Sequence, residues 1–180
     1  MKGSDEVKER RYLSRAGFSL VELIIAIAIL TVFVGGAALS LTLLRNADTR
    51  GLASGINDSL TDLKALTESH KGPYYMHIYK TDDGFYANYS EAASGGAVAF
   101  TVPTDTSGDK RLGASTMTVK ADISGSDVEI TGDTYVTVSI QKKDGAYKMA
   151  PETFYIYNGA RLDYKVILAM DTGLHYMEQQ

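Results

Sequence analysis

The spacing of apolar residues divides the chain into stretches of different character. From Phe18 to Leu44 it reads FSLVELIIAIAILTVFVGGAALSLTLL, with Glu22 the only charge. Leu23 to Leu44 is an uncharged run whose length as a helix, about 33 Å, matches a bilayer core of about 30 Å. Beyond it, Leu52, Ile56, Leu60, Leu63 and Leu66 recur at intervals of four, four, three and three, one face of a helix. Asp48, Asp58, Asp62, Lys64 and Glu68 fall on the other faces, and Gly72-Pro73 ends the element. The pattern predicts one helix over Phe18–Ser69, roughly 78 Å long. Its weak points are Gly35-Gly36, Gly51 and Gly55, each costing about 1 kcal/mol relative to alanine.

From Tyr74 onward alternation replaces the helical period, and eleven of the twelve tyrosines lie in this part. Met117, Val119, Ala121 and Ile123 alternate with polar residues, as do Val136, Val138 and Ile140. Phe154 and Ile156, then Tyr164, Val166, Leu168 and Met170, form further stripes. Asp82-Asp83-Gly84, Gly132-Asp133 and Lys143-Asp144-Gly145 separate such runs and read as hairpin turns between antiparallel strands. Residues 90–97 and 103–115 read as loops. The expected fold is α+β: a long N-terminal helix, transmembrane in its N-terminal half, packed against a C-terminal antiparallel β-sheet head. The stripe from Leu52 to Leu66 is the natural cover for the open face of that sheet.

Charge and composition narrow the functions open to such a chain. With 18 basic against 22 acidic residues it does not bind nucleic acid by bulk charge. The absence of cysteine removes disulfides, thiolate chemistry and cysteine-based zinc sites. Residues 1–17 carry five basic and three acidic side chains, and basic residues are denser before the apolar run than after it. The positive-inside rule keeps that leader in the cytoplasm and sends the C-terminal bulk across, a single-pass arrangement. The expected divisions are 1–17 as leader, 18–44 as transmembrane helix, 45–72 as amphipathic helix and 73–180 as the β-sheet head.

The junction Arg15-Ala16-Gly17-Phe18-Ser19-Leu20-Val21-Glu22-Leu23 is the most specific feature. It resembles the N-terminal signal of type IV pilins and type II secretion pseudopilins: a basic leader, Gly-Phe, then glutamate five residues after the glycine. The likeness is close over residues 10–45, and beyond them rests on the helix-then-sheet order. It implies a structural filament subunit rather than an enzyme, and the residues themselves offer no cofactor motif and no metal-ligand cluster. A prepilin peptidase/methyltransferase would cut after Gly17 and methylate the new amino terminus at Phe18. Further partners implied are homologous pilin or pseudopilin subunits, an inner-membrane assembly platform and the lipid bilayer. Filaments of this kind stand in the periplasm or outside the cell.

Glu22 also has a reading independent of the family. A carboxylate in an apolar membrane run is unfavourable, by about 3 kcal/mol near the centre and less near an edge. Cleavage after Gly17 would place a cationic amine on Phe18, and a helix N-terminus favours a nearby anion. Opposite charges about 4 Å apart at an effective dielectric of about 20 attract by about 4 kcal/mol, before desolvation. The pair can close within one chain or between stacked chains; the resemblance implies the second, with Glu22 setting subunit register. The chain departs from the family in carrying Gly35-Gly36 where many members bend the helix with proline. That pair can loosen the helix or let helices pack closely.

Other signals are weak. Asp105 and Asp109 around Gly108 fit no EF-hand spacing and read as turn chemistry. Ser94-Gly95-Gly96 lacks the Lys-Ser/Thr of a phosphate loop. His70, His77 and His175 are scattered, and Asn88-Tyr89-Ser90 is a common chance match to a glycosylation acceptor. The tyrosine-rich strands could bind carbohydrate or a surface, but read first as head packing and subunit contacts. The competing reading is a secreted or membrane-anchored β-rich binding domain behind an ordinary signal or anchor segment. Glu22 inside the apolar run, and the length of that run, speak against it.

Overall fold

In a computed structural model the described residues are 19–91 and 99–180, and at 37–39 and 41–44 the backbone alone. The contacts divide the chain into two compact units, 1–41 and 42–180. Helix α1 spans Leu20–Ser69. Its N-terminus is set by Ser19, whose Oγ accepts the Glu22 amide at 3.2 Å while its carbonyl accepts the Leu23 amide at 3.1 Å. Gly35 and Gly36 are helical, and a Cβ on either would meet nothing within 4 Å.

Ten strands follow. They are β1 (Tyr74–Lys80), β2 (Phe85–Glu91), β3 (Lys110–Gly113), β4 (Thr118–Ile123), β5 (Ser126–Glu129), β6 (Val136–Ile140), β7 (Tyr147–Met149), β8 (Thr153–Asn158), β9 (Arg161–Ala169) and β10 (Leu174–Gln179). They build two five-stranded sheets rather than one, ordered β3-β2-β1-β6-β7 and β10-β9-β8-β4-β5. Every pairing is antiparallel. The sheets meet where the Tyr147 amide donates to the Met170 carbonyl at 2.9 Å.

The helical stripe covers the inner faces of both sheets. Leu52, Ile56, Leu60 and Leu63 are fully buried, in one cluster with Met76, Phe85 and Val138 of the first sheet and Val119, Phe154 and Val166 of the second. Leu66 is only half-buried, and Thr67 takes the buried place, returning its hydroxyl to the Leu63 carbonyl at 2.8 Å. At 100° per residue Thr67 falls on the side of the helix that carries Ile56, Leu60 and Leu63, whereas Leu66 swings to its edge. The alternating stripes of β6, β8 and β9 point inward as expected, but Ile123, at the end of β4, is 40% exposed.

Two expected features are corrected. The segment 103–115 is not all loop, because Lys110–Gly113 forms β3. With Leu112 its single buried side chain, the strand has no alternation to betray it. Its place depends on two glycines. A Cβ on Gly55 would sit 2.6 Å from the Leu112 carbonyl oxygen, and one on Gly113 would sit 2.7 Å from Leu52 Cβ. Gly55 is therefore a close helix–strand crossing, not only a weak point. Gly132-Asp133 joins β5 to β6, which lie in different sheets, so it is a crossover rather than a hairpin. The hairpin of that region is β4–β5, turned by Ser124 and Gly125 with φ of 56° and 82°. Positive φ at both central residues is what a two-residue type I′ turn requires.

Candidate processing and assembly site

Gly17 and Phe18 lie outside the described residues; Glu22, Gly35 and Gly36 lie on α1. The Ser19-Leu20-Val21-Glu22 order is a capping-box pattern, a serine followed three residues later by glutamate. The observed bond from the Glu22 amide to Ser19 Oγ satisfies one of the donors a helix start leaves unpaired. Glu22 thus sits in the first turn, where the helix dipole favours an anion. Sequence reasoning centred on Gly17, Phe18 and Glu22 passed over Ser19, although its spacing to Glu22 is a local and legible signal.

The first unit presents an apolar surface. Leu20, Val32, Phe33 and Val34 are 67–75% exposed, and Leu23, Ile24, Ile25, Ile27, Ile29 and Leu30 are also exposed. Among the described residues no helix is long and apolar enough to cross a membrane. The part of the expected span with described side chains, Leu20–Gly36, is roughly 25 Å of helix, short of a bilayer core of about 30 Å. Phe18 and the side chains at 37–39 and 41–44, which complete the expected span, lie outside the described residues.

In the second unit the residues singled out from sequence have structural partners. Asp105 caps its own turn, its Oδ1 accepting the Ser107 amide at 2.9 Å, which holds its carboxyl below the usual range. Asp109 accepts from the Tyr79 hydroxyl and, at 2.6 Å, from Asn88 Nδ2, so that asparagine nitrogen is engaged internally. His175 bridges Thr61 of α1, at 3.1 Å, and the Tyr147 hydroxyl, at 2.9 Å. Burial lowers its pKa. Arg161 pairs with buried Asp163 at 2.5 Å, and the two reach Asn46 and Thr49 on the helix.

A further cluster had no sequence signal. Tyr75, His77 and Tyr79 of β1 point away from the helix yet are buried. The His77 ring stacks on Phe100 with centroids 4.3 Å apart. Its Nδ1 lies 2.9 Å from Thr137 Oγ1 and its Nε2 3.0 Å from Ser90 Oγ. Burial among these hydroxyls and rings pulls its pKa down to about 4. The outer face of the first sheet is therefore covered at β1, where Phe100 lies against His77 and Tyr79.

Comparison with known proteins picks out the N-terminal region. Residues 13–38 match the family model for the prokaryotic N-terminal methylation motif. The chain thus carries the signature of type IV pilins and pseudopilins at the place where Gly17, Phe18, Ser19 and Glu22 stand. No curated protein and no solved structure matches the chain.

Proposed function

We propose that this chain is the precursor of a pilin-like structural subunit of a pilus or secretion pseudopilus. The observation that carries the reading is the methylation motif at 13–38, laid over a serine-capped helix start with Glu22 in its first turn. Prepilin peptidase removes residues 1–17 by cutting after Gly17 and methylates the amine of Phe18. The apolar surface from Leu20 to Val34 holds the precursor in the bilayer, the leader inside and the head outside. In the polymer that same surface packs against neighbouring helices. Gly35 and Gly36, with open space where a Cβ would be, supply the local give that such repacking needs.

Glu22 acts in assembly. In a single membrane-held subunit its carboxylate is unfavourable, and pairing with the methylated amine of an adjacent subunit removes that penalty only when the register is correct. The role is structural, and no step is catalysed by this chain.

Intact-mass measurement after co-expression with a prepilin peptidase tests the reading. The expected product begins at Phe18 and is heavier by one methyl group, and Gly17→Val stays full length. A mature N-terminus near Leu39, or normal processing of Gly17→Val, would refute it.

A further inference from the structure

Five lysines surround two adjoining clefts at the C-terminal end of α1. Lys64, Lys142 and Lys143 line one cleft of about 300 Å³; Lys71, Lys142, Lys143 and Lys148 line the other, of about 320 Å³. All but half-buried Lys64 are exposed. Among the described residues none of the five is in an ion pair. Lys142 donates to the carbonyl of His70, just past the helix, which accounts for one cation at a helix C-terminus and leaves the rest unaccounted for. Glu68 and Asp144 are the carboxylates on the same lining, and Asp144 spends Oδ1 on the Ala146 amide. In a chain with formal net charge −4, this concentration of cations calls for an anionic partner.

The second sheet carries the complementary anomaly. Across the β4–β5 hairpin, Lys120 stands opposite Glu129, a favourable pairing, but on the next outward rung Asp122 stands opposite Asp127. Like charges directly opposed across strands are destabilising. Asp122 Oδ1 accepts the Gly125 amide at 2.9 Å within the turn, but among the described residues no cation offsets the pair, since Lys120 holds its ammonium 5.5 Å above the Tyr157 ring. Asp127 is exposed and β5 is the free edge of its sheet. Two aspartates on one rung do not provide the six to eight oxygens that calcium takes, so an ammonium pair is the better match.

We propose that the lysine-lined clefts of one subunit receive the Asp122–Asp127 hairpin of a second copy of this chain. The contact joins two different patches, so it is heterologous and propagates along an open assembly instead of closing a dimer. It deepens the subunit reading given above and rests on it. It supplies an ionic contact between heads in addition to the one at Glu22. Exposed charges of this kind are screened within about 8–10 Å at physiological salt, so the contact orients incoming heads and weakens as salt rises.

The full chain contains no cysteine, so engineered pairs report cleanly. Lys143→Cys and Asp127→Cys are combined in one chain, co-expressed with prepilin peptidase and an assembly platform, and oxidised. A ladder of disulfide-linked multimers in the assembled fraction is expected, and none from either single variant. In parallel, Lys142→Glu with Lys143→Glu should lower recovery in that fraction by at least about tenfold, and adding Asp122→Lys with Asp127→Lys should restore it. An unlinked double-cysteine polymer, or charge-reversed chains that assemble as the wild type does, would overturn the contact and leave the subunit reading standing. So would binding of a phosphate polymer at the clefts that leaves assembly unchanged when the lysines are reversed. If wild-type chains make no polymer at all, the subunit reading fails and the contact falls with it.

Discussion

Gly51 and Gly55 are one helical turn apart on α1, and the structure assigns opposite signs to the same substitution at them. Alanine in place of a glycine inside a helix stabilises by about 0.5–1 kcal/mol through backbone entropy. At Gly51 a Cβ would meet nothing within 4 Å, so the whole gain is available. At Gly55 the new carbon would lie 2.6 Å from the Leu112 carbonyl oxygen and 3.1 Å from Leu112 Cα, both backbone atoms that no rotamer change can move aside. Forcing β3 off the helix costs about 1–3 kcal/mol, as overpacking of a filled core does. The helical gain offsets part of this, leaving Gly55→Ala destabilised by about 1–2 kcal/mol. The assay is thermal unfolding of residues 42–180, which form a compact unit with its own core. At about 3–4 °C per kcal/mol for a unit of this size, Gly51→Ala should raise the midpoint by about 2–4 °C and Gly55→Ala should lower it by about 3–8 °C. A Gly55→Ala protein as stable as Gly51→Ala would refute the close crossing of α1 and β3.

Three other outcomes follow from the same structure. Leu63→Ala removes a fully buried side chain from the centre of the cluster and should cost about 2–5 kcal/mol in the same assay; an unchanged midpoint would take the stripe out of the core. Glu22→Ala should be cleaved after Gly17 as the wild type is, yet fail to enter polymer when co-expressed with wild-type chains, because a buried unpaired ammonium costs about 3–5 kcal/mol; equal incorporation would exclude Glu22 from assembly. His77, with its pKa lowered from 6.5 to about 4, binds fewer protons folded than unfolded, so its contribution is complete above about pH 6.5 and is lost as pH falls toward 4. His175 acts in the same direction. His77→Gln should flatten the acid side of the stability curve measured between pH 7 and 4, and an unaltered slope would mean that His77 is not held neutral.

Much of this protein is written in local patterns. The intervals between Leu52, Ile56, Leu60 and Leu63 are a property of a helix alone, and the face they define is buried whatever sheet arrives to cover it. The turns at Asp82-Asp83-Gly84 and Lys143-Asp144-Gly145 are the hairpins their composition suggests, each joining two strands that pair antiparallel. The methylation motif is equally local: Gly17, Phe18, Ser19 and Glu22 lie within six positions, and Ser19 and Glu22 meet across a single turn. What the local pattern lacks is any statement of which strand lies beside which. The same Gly-Asp signal that suggests a hairpin at Gly132-Asp133 serves a crossing between sheets, since the choice depends on the partners of β5 and β6 and not on the turn. Lys110–Gly113 becomes a strand because β2 offers an unpaired edge and because Gly55 and Gly113 allow the backbone close to the helix. His77, one of three histidines without a motif, becomes a buried neutral ring only when Ser90, Phe100 and Thr137 converge on it from 13, 23 and 60 residues away. Periodicity describes one element and its own environment; contacts between distant segments are decided when those elements pack, because only then do their side chains compete for the same space.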